Sequence, residues 1–161
     1  MTTDTSTPAP AGGPLNAAML AWFKADDWPF TPIEGRTALS TGFKSENGEW
    51  NCFALVREEQ FEFIFYSGCA AHAPEEKRPA MAEFLTRANY GMWIGNFEMD
   101  YNDGEIRYKT SIDVEGAELT PALIHNAVYA NVGTMNRYLP GIMSVIFADV
   151  NPADAIKKIE G

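Results

Sequence analysis

One dipeptide constrains this chain more than any other: Asp103-Gly104, set between two runs that alternate charged and apolar residues. A two-residue type I′ turn needs φ > 0 at both central positions, and Asp-Gly is among the pairs that adopt it most readily. Folding residues 89–114 about it predicts the end of a helix, a strand, a tight turn and a second strand. In that register Asp100 faces Arg107 and Glu98 faces Lys109, while Tyr101 meets Ile106 and Met99 meets Tyr108. Opposite charges then share one face and large apolar groups the other. A slip of one residue would turn the apolar set outward.

The remaining pattern supplies elements around this hairpin. Pro14 opens a helix with Leu15, Met19, Trp22 and Phe23 on one face, which Trp28-Pro29 is expected to end. Residues 30–33, interrupted by Pro32, suit only an edge strand. Strands at 37–45 and 50–57 flank Asn47-Gly48, a second type I′ signal that puts Leu39, Thr41 and Phe43 on the face of Cys52, Ala54 and Val56. That turn sets Glu46 opposite Glu49, a like-charge pair that argues for a longer loop. Phe61, Phe63 and Phe65 alternate with Ile64 and Tyr66, which predicts a central strand covered on both sides.

Residues 75–89 form an amphipathic helix through Met81, Phe84, Leu85 and Ala88. Thr120-Pro121 starts a helix running to about Phe147, with Leu123, Ala127, Val128, Met135, Tyr138, Leu139, Ile142 and Ile146 as its apolar positions. Pro140-Gly141 should kink or break it. Asn151-Pro152 caps a last short helix. The order predicts an α+β fold, an antiparallel sheet with helices packed on it, rather than alternating βαβ units. Residues 1–13, rich in Thr, Pro, Ala and Gly, read as a disordered tail; residues 14–161 read as a single domain.

Charge narrows the partners. With 22 acidic against 12 basic residues the net charge is −10. Phosphate binding and docking to anionic lipid both need the opposite balance, so neither nucleic acid nor a membrane surface is expected. A basic segment of another protein would suit it better. The N-terminal residues lack a basic-then-apolar signal, and no apolar run approaches the ~20 residues of a membrane span. A cytoplasmic location follows as the expectation, with Cys52 and Cys69 as reduced core thiols.

Reactive constellations are missing from the pattern. His72 and His125 stand apart, with no HxxxH or CxxC, so no metal or other cofactor is expected. Glu98, Asp100, Asp103 and Glu105 lie close together, but a salt-bridged solvated face explains them better than paired acid-base carboxylates. No GxSxG, GxGxxG or Walker loop occurs. Gly91 ends a helix, and Gly95 marks a bulge or a close packing contact. The chain therefore reads as non-enzymatic.

What stands out is aromatic. Trp93, Phe97 and Tyr101 share one face of the first hairpin strand, with Tyr108, Ile112 and Val114 across from them. Burial against the long helix accounts for much of this set. A surface shared with a partner segment or a second subunit accounts for any part left exposed.

The set Asn89-Tyr90-Gly91, Gly95, Phe97, Asp100, Asp103-Gly104-Glu105, Arg107-Tyr108 and Tyr138-Leu139-Pro140 resembles the YbjN family, small bacterial proteins described as sensory transduction regulators. The resemblance covers roughly residues 14–150. It implies a fold like that of type III secretion chaperones, a curved antiparallel sheet with packed helices, commonly dimeric, and it carries over no catalytic residue. The expectation is a regulatory or chaperone-like protein-binding module whose contacts come from Trp93, Phe97, Tyr101, Tyr108, Tyr138 and Leu139. The alternative is a small-molecule sensor with an aromatic-lined pocket between sheet and helix.

Overall fold

The computed structural model describes residues 12–161; the tail expected at residues 1–13 lies outside these except for its last two glycines. Helix α1 (Pro14–Ala25) is followed by strands β1 (Phe30–Pro32), β2 (Ala38–Ser45), β3 (Gly48–Arg57) and β4 (Glu62–Gly68). Helix α2 (Arg78–Asn89), strands β5 (Asn96–Met99) and β6 (Ile106–Asp113), and helices α3 (Pro121–Phe147) and α4 (Pro152–Glu160) complete the order. The six strands form one sheet in the order β1-β2-β3-β4-β6-β5, every neighbouring pair antiparallel. A single hydrophobic cluster runs from Leu15 in α1 to Ala155 in α4.

Local chemistry explains the helix ends. Thr120 accepts a hydrogen bond from the Leu123 amide, and Asn151 accepts one from Ala153, the capping expected of their sequences. Helix α1 has no capping side chain of its own. The Glu58 carboxylate, from the turn between β3 and β4, accepts from the amides of Leu15 and Asn16 instead. Helix α1 also stops three residues before Trp28, its exit turn carrying Asp27 at φ 54°.

Both hairpins form, but each turn lies elsewhere than Asp-Gly and Asn-Gly indicate. The β5–β6 register pairs Glu98 with Arg107 and Met99 with Ile106, so the strands are displaced by two residues from the expected pairing. Tyr101–Gly104 becomes a four-residue loop closed by Asp100 N–H to Glu105 O at 2.9 Å. The carboxylates of Asp100 and Asp103 accept from the amides two residues on, holding Asp103 in an Asx turn at negative φ. Gly104 alone is left-handed, and it packs so tightly that a Cβ would fall 1.9 Å from the Ala73 carbonyl. Tyr101 therefore leaves the strand for the loop.

The β2–β3 turn shows the same displacement. Ser45 pairs with Gly48, so Glu46 and Asn47 are the turn residues and Glu46 no longer faces Glu49. Docking on α3 selects this register. The Asn47 amide and side chain bond Asn136 Oδ1 at 3.3 Å and Asn136 O at 2.9 Å. A two-residue displacement preserves which face each side chain occupies, so the core is as the alternation predicts.

The helices pack on one face of the sheet only. Leu39, Cys52, Ala54, Phe63, Phe65, Ile106 and Tyr108 point into that layer and are buried. Strand β4 is central, as expected, but its other face has no helix over it: Phe53 beside it is 45% exposed. Helix α3 is continuous through Pro140 rather than broken.

Candidate functional site: the aromatic loop before strand β5

Six residues connect α2 to β5, and their geometry separates the aromatic set. Tyr90 is 90% exposed, Trp93 98% and Ile94 58%. Such exposure in a segment without secondary structure would ordinarily accompany a loosely held loop. Here both ends are fixed. The Asn89 carboxamide accepts from the Phe97 amide at 2.7 Å and donates to its carbonyl at 3.1 Å, acting as one more rung of a strand. The Tyr108 hydroxyl donates a short bond to the Ile94 carbonyl and lies 3.5 Å from Met92 Sδ. Gly91 and Gly95 take the positive φ angles that fold the loop tip outward. At Gly95 a Cβ would sit 2.5 Å from the Lys109 carbonyl, the close contact its sequence suggests. The loop thus holds an indole out in solvent from a firmly tied base.

Three of the six expected contact residues lie beneath it. Phe97, Tyr108 and Tyr138 are buried and meet edge to face, with ring centroids 4.8 Å apart for Phe97–Tyr108 and 5.6 Å for Phe97–Tyr138. Leu139 is buried where the β2–β3 turn meets α3, beside Gly48. Phe97, Tyr108 and Tyr138 form the floor that the loop rests on, and Leu139 lies apart from it. Trp93 is on the surface, and so is Tyr101, 56% exposed in the β5–β6 loop. The sequence reads Trp93 to Tyr101 as one alternating strand after a helix ended by Gly91, which gives Tyr90 and Ile94 no place in the exposed set; the glycines at 91 and 95 on either side of Trp93 are the sign of a projecting loop.

A cleft of about 540 Å³ runs from the loop between sheet and helices, past Tyr90, Trp93 and Ile94 to Tyr138, Arg137 and Glu160. Its inner wall is polar. Tyr138 donates to the Glu160 carboxylate at 2.6 Å, and burial together with that carboxylate pushes the phenol up to about 12. On the neighbouring strands Glu98 bonds Arg107 at 2.8 Å and Lys109 at 3.1 Å. Although its partial burial acts to raise its carboxyl, these two cations outweigh that and hold it below the ordinary value. Burial pushes the Cys52 thiol to about 12 and raises Cys69, which keeps both protonated at neutral pH. Among the described residues no group of three or more His, Cys, Asp or Glu could hold a metal ion. No helix among them is long and apolar enough to cross a membrane.

The family model described as "YbjN: Putative bacterial sensory transduction regulator" matches residues 17–143, which include the loop, its base and most of α3. The chain belongs to the YbjN family. The crystal structure of YbjN from E. coli is similar at a TM-score of 0.58 and 12% identity, covering 88% of this chain and 92% of that one. That likeness establishes the shared fold, an antiparallel sheet with helices on one face. The crystal structure of the ExsC-ExsE complex is similar at a TM-score of 0.46 and 10% identity, covering 74% of this chain and 86% of the other. Among curated proteins, none matches the sequence.

Proposed function

We propose that the chain is a non-enzymatic regulatory module of the cytoplasm that holds a segment of another protein against Trp93 and the cleft beside it. The observation that carries this reading is the indole itself, 98% exposed on a loop tied at both ends. An aromatic presented rigidly loses little conformational freedom when a partner covers it, which is why Trp and Tyr dominate binding hot spots. The partner expected is an amphipathic segment with apolar residues for the cleft and basic flanks, which suit a surface of net charge −10. The regulatory description of the family agrees with such a role.

The test compares the wild-type chain with Trp93→Ala as immobilised baits in native-host extract, reading bound proteins by mass spectrometry. Loss of at least about tenfold of one wild-type partner, with circular dichroism and melting unchanged, is the expected outcome. Equal recovery on both baits would refute it. Light scattering on the same two proteins distinguishes a second copy of the chain as the cover for Trp93, since only a self-interface would lose mass in the variant.

The position of the cleft between sheet and helix, with Tyr90, Trp93, Tyr108 and Tyr138 along it, favours one second reading: a metabolite sensor. A ligand-dependent rise in melting temperature in a metabolite screen, abolished by Trp93→Ala, would support it over protein capture.

A further inference from the structure

The helix-free face of the sheet carries a second concavity, of about 910 Å³, that the proposal above does not use. Its floor crosses four adjacent strands through Gly42, Asn51, Gly68 and Arg107, which are paired in register. Two glycines in one row of a sheet weaken it, and something must account for them. Neither is at positive φ. A Cβ on either would meet nothing closer than a backbone oxygen at 3.6 Å. The backbone accommodates a side chain at both places, so no contact within the protein accounts for either glycine.

The walls define what fits that space. On one side are the rings of Phe53 and Tyr66, next to each other in register and part-exposed or exposed. The Arg107 guanidinium lies 4.2 Å from the Tyr66 ring centroid, and among the described residues its hydrogen bond is from Nε to Glu98. The other rim holds Lys44, Glu49, Glu105 and His72, and Arg36 lies beyond the far end of β2. Among the described residues neither Arg36 nor Lys44 is ion-paired. In a chain with ten more acids than bases, this concavity has three cations to two carboxylates along its lining.

We infer that the Gly42–Asn51–Gly68–Arg107 groove is a binding site for a small carboxylate with a flat apolar body. The ring system lies over the glycines against Phe53 and Tyr66, and the carboxylate meets the planar fork of Arg107, which suits that group bidentately. The floor spans three strand spacings, about 14 Å, the length of a small molecule rather than of a folded partner. Asn51, in mid-floor, offers both a donor and an acceptor to a polar substituent.

The probe for this site is 2-naphthoate, with 2-naphthamide as its neutral counterpart, titrated by calorimetry and by amide chemical shifts on the full chain. Saturable binding of naphthoate is expected, with shifts centred on Gly42, Asn51, Gly68 and Arg107. The amide should bind at least about fivefold more weakly, because it forfeits the charge-assisted pair. Gly42→Val fills the floor at its β2 end and Gly68→Val fills it beside Arg107, and each should weaken naphthoate at least about tenfold with melting unchanged. Should one valine disturb the sheet, the other carries the test. No saturable binding, shifts centred on Trp93, equal affinity for acid and amide, or a folded valine variant that binds like wild type would each overturn the assignment. Because Trp93 is on a different surface, Trp93→Ala should leave naphthoate affinity unchanged, so this inference and the partner-capture reading fail independently.

Discussion

Single atoms decide several positions in this molecule, and glycine 95 is the clearest. Its φ of 76° lies where L side chains are strained, and a Cβ would also press on the Lys109 carbonyl and the Tyr108 hydroxyl, 2.5 and 2.8 Å away. Gly95→Ala should therefore cost about 2–4 kcal/mol in urea unfolding, more than either conformational strain or crowding alone. Trp93→Ala, two residues away, removes a side chain that touches almost nothing and should change stability by less than about 0.5 kcal/mol. Tyr138 gives a titration counterpart. Its folded value, about 12, lies above the ordinary 10 of the unfolded chain. The folded state thus keeps a proton that the unfolded state releases, so the stabilisation is complete below pH 10 and is lost as pH rises toward 12. Tyr138→Phe should flatten the loss of stability across that window, followed by denaturant unfolding at a series of alkaline pH values, and its tyrosinate absorbance should lack the latest-titrating component.

Between elements, the most instructive contact joins the β2–β3 turn to the middle of α3. Pro140 has no amide hydrogen to give the Asn136 carbonyl four residues earlier, the usual reason for a proline to break a helix. The Asn47 side chain donates to that carbonyl in its place, at 2.9 Å. Gly141 beside it lets the chain approach Phe84 of α2 and Ile159 of α4, where a Cβ would lie 2.6 and 2.5 Å from their side chains. Asn47→Ala should cost about 1–2 kcal/mol by leaving that carbonyl without its partner. Pro140→Ala, which restores an amide donor inside the helix, should be worth more in the Asn47→Ala background than in wild type. A double-mutant cycle by denaturant unfolding that is additive within about 0.3 kcal/mol would refute the coupling. This contact also marks the limit of what the sequence makes legible. Alternation and 3.6-residue spacing, which are local, revealed nearly every element and the faces that Leu39, Phe63 and Tyr108 bury. Turn registers and the survival of α3 were hidden because Asn136 and Ala73, far away in sequence, determine them. At the candidate site Trp93 was legible as one of the aromatics on the hairpin strand, but the loop it stands in and the tie from Asn89 to Phe97 that makes it a fixed projection were not.

On the scale of the whole molecule, two opposing electrostatic effects meet in mild acid. The charge of −10 at neutral pH falls to zero near pH 4.6, so self-repulsion in the folded state disappears on acidification. The β5–β6 edge works the other way. Glu98, part-buried between Arg107 and Lys109, has its folded carboxyl below its unfolded value. A group depressed in this way contributes stability above the unfolded value and surrenders it as pH falls through the folded one. The net consequence is a stability that holds or rises slightly toward pH 5 and declines only below about pH 4.5, where ordinary glutamates protonate. Glu98→Gln separates the two. It should lower stability at pH 7 by about 0.5–1 kcal/mol, as partly exposed ion pairs do, and should leave a shallower decline between pH 4.5 and 3 than wild type shows. A variant whose acid limb runs parallel to wild type would assign acid unfolding to carboxylates elsewhere.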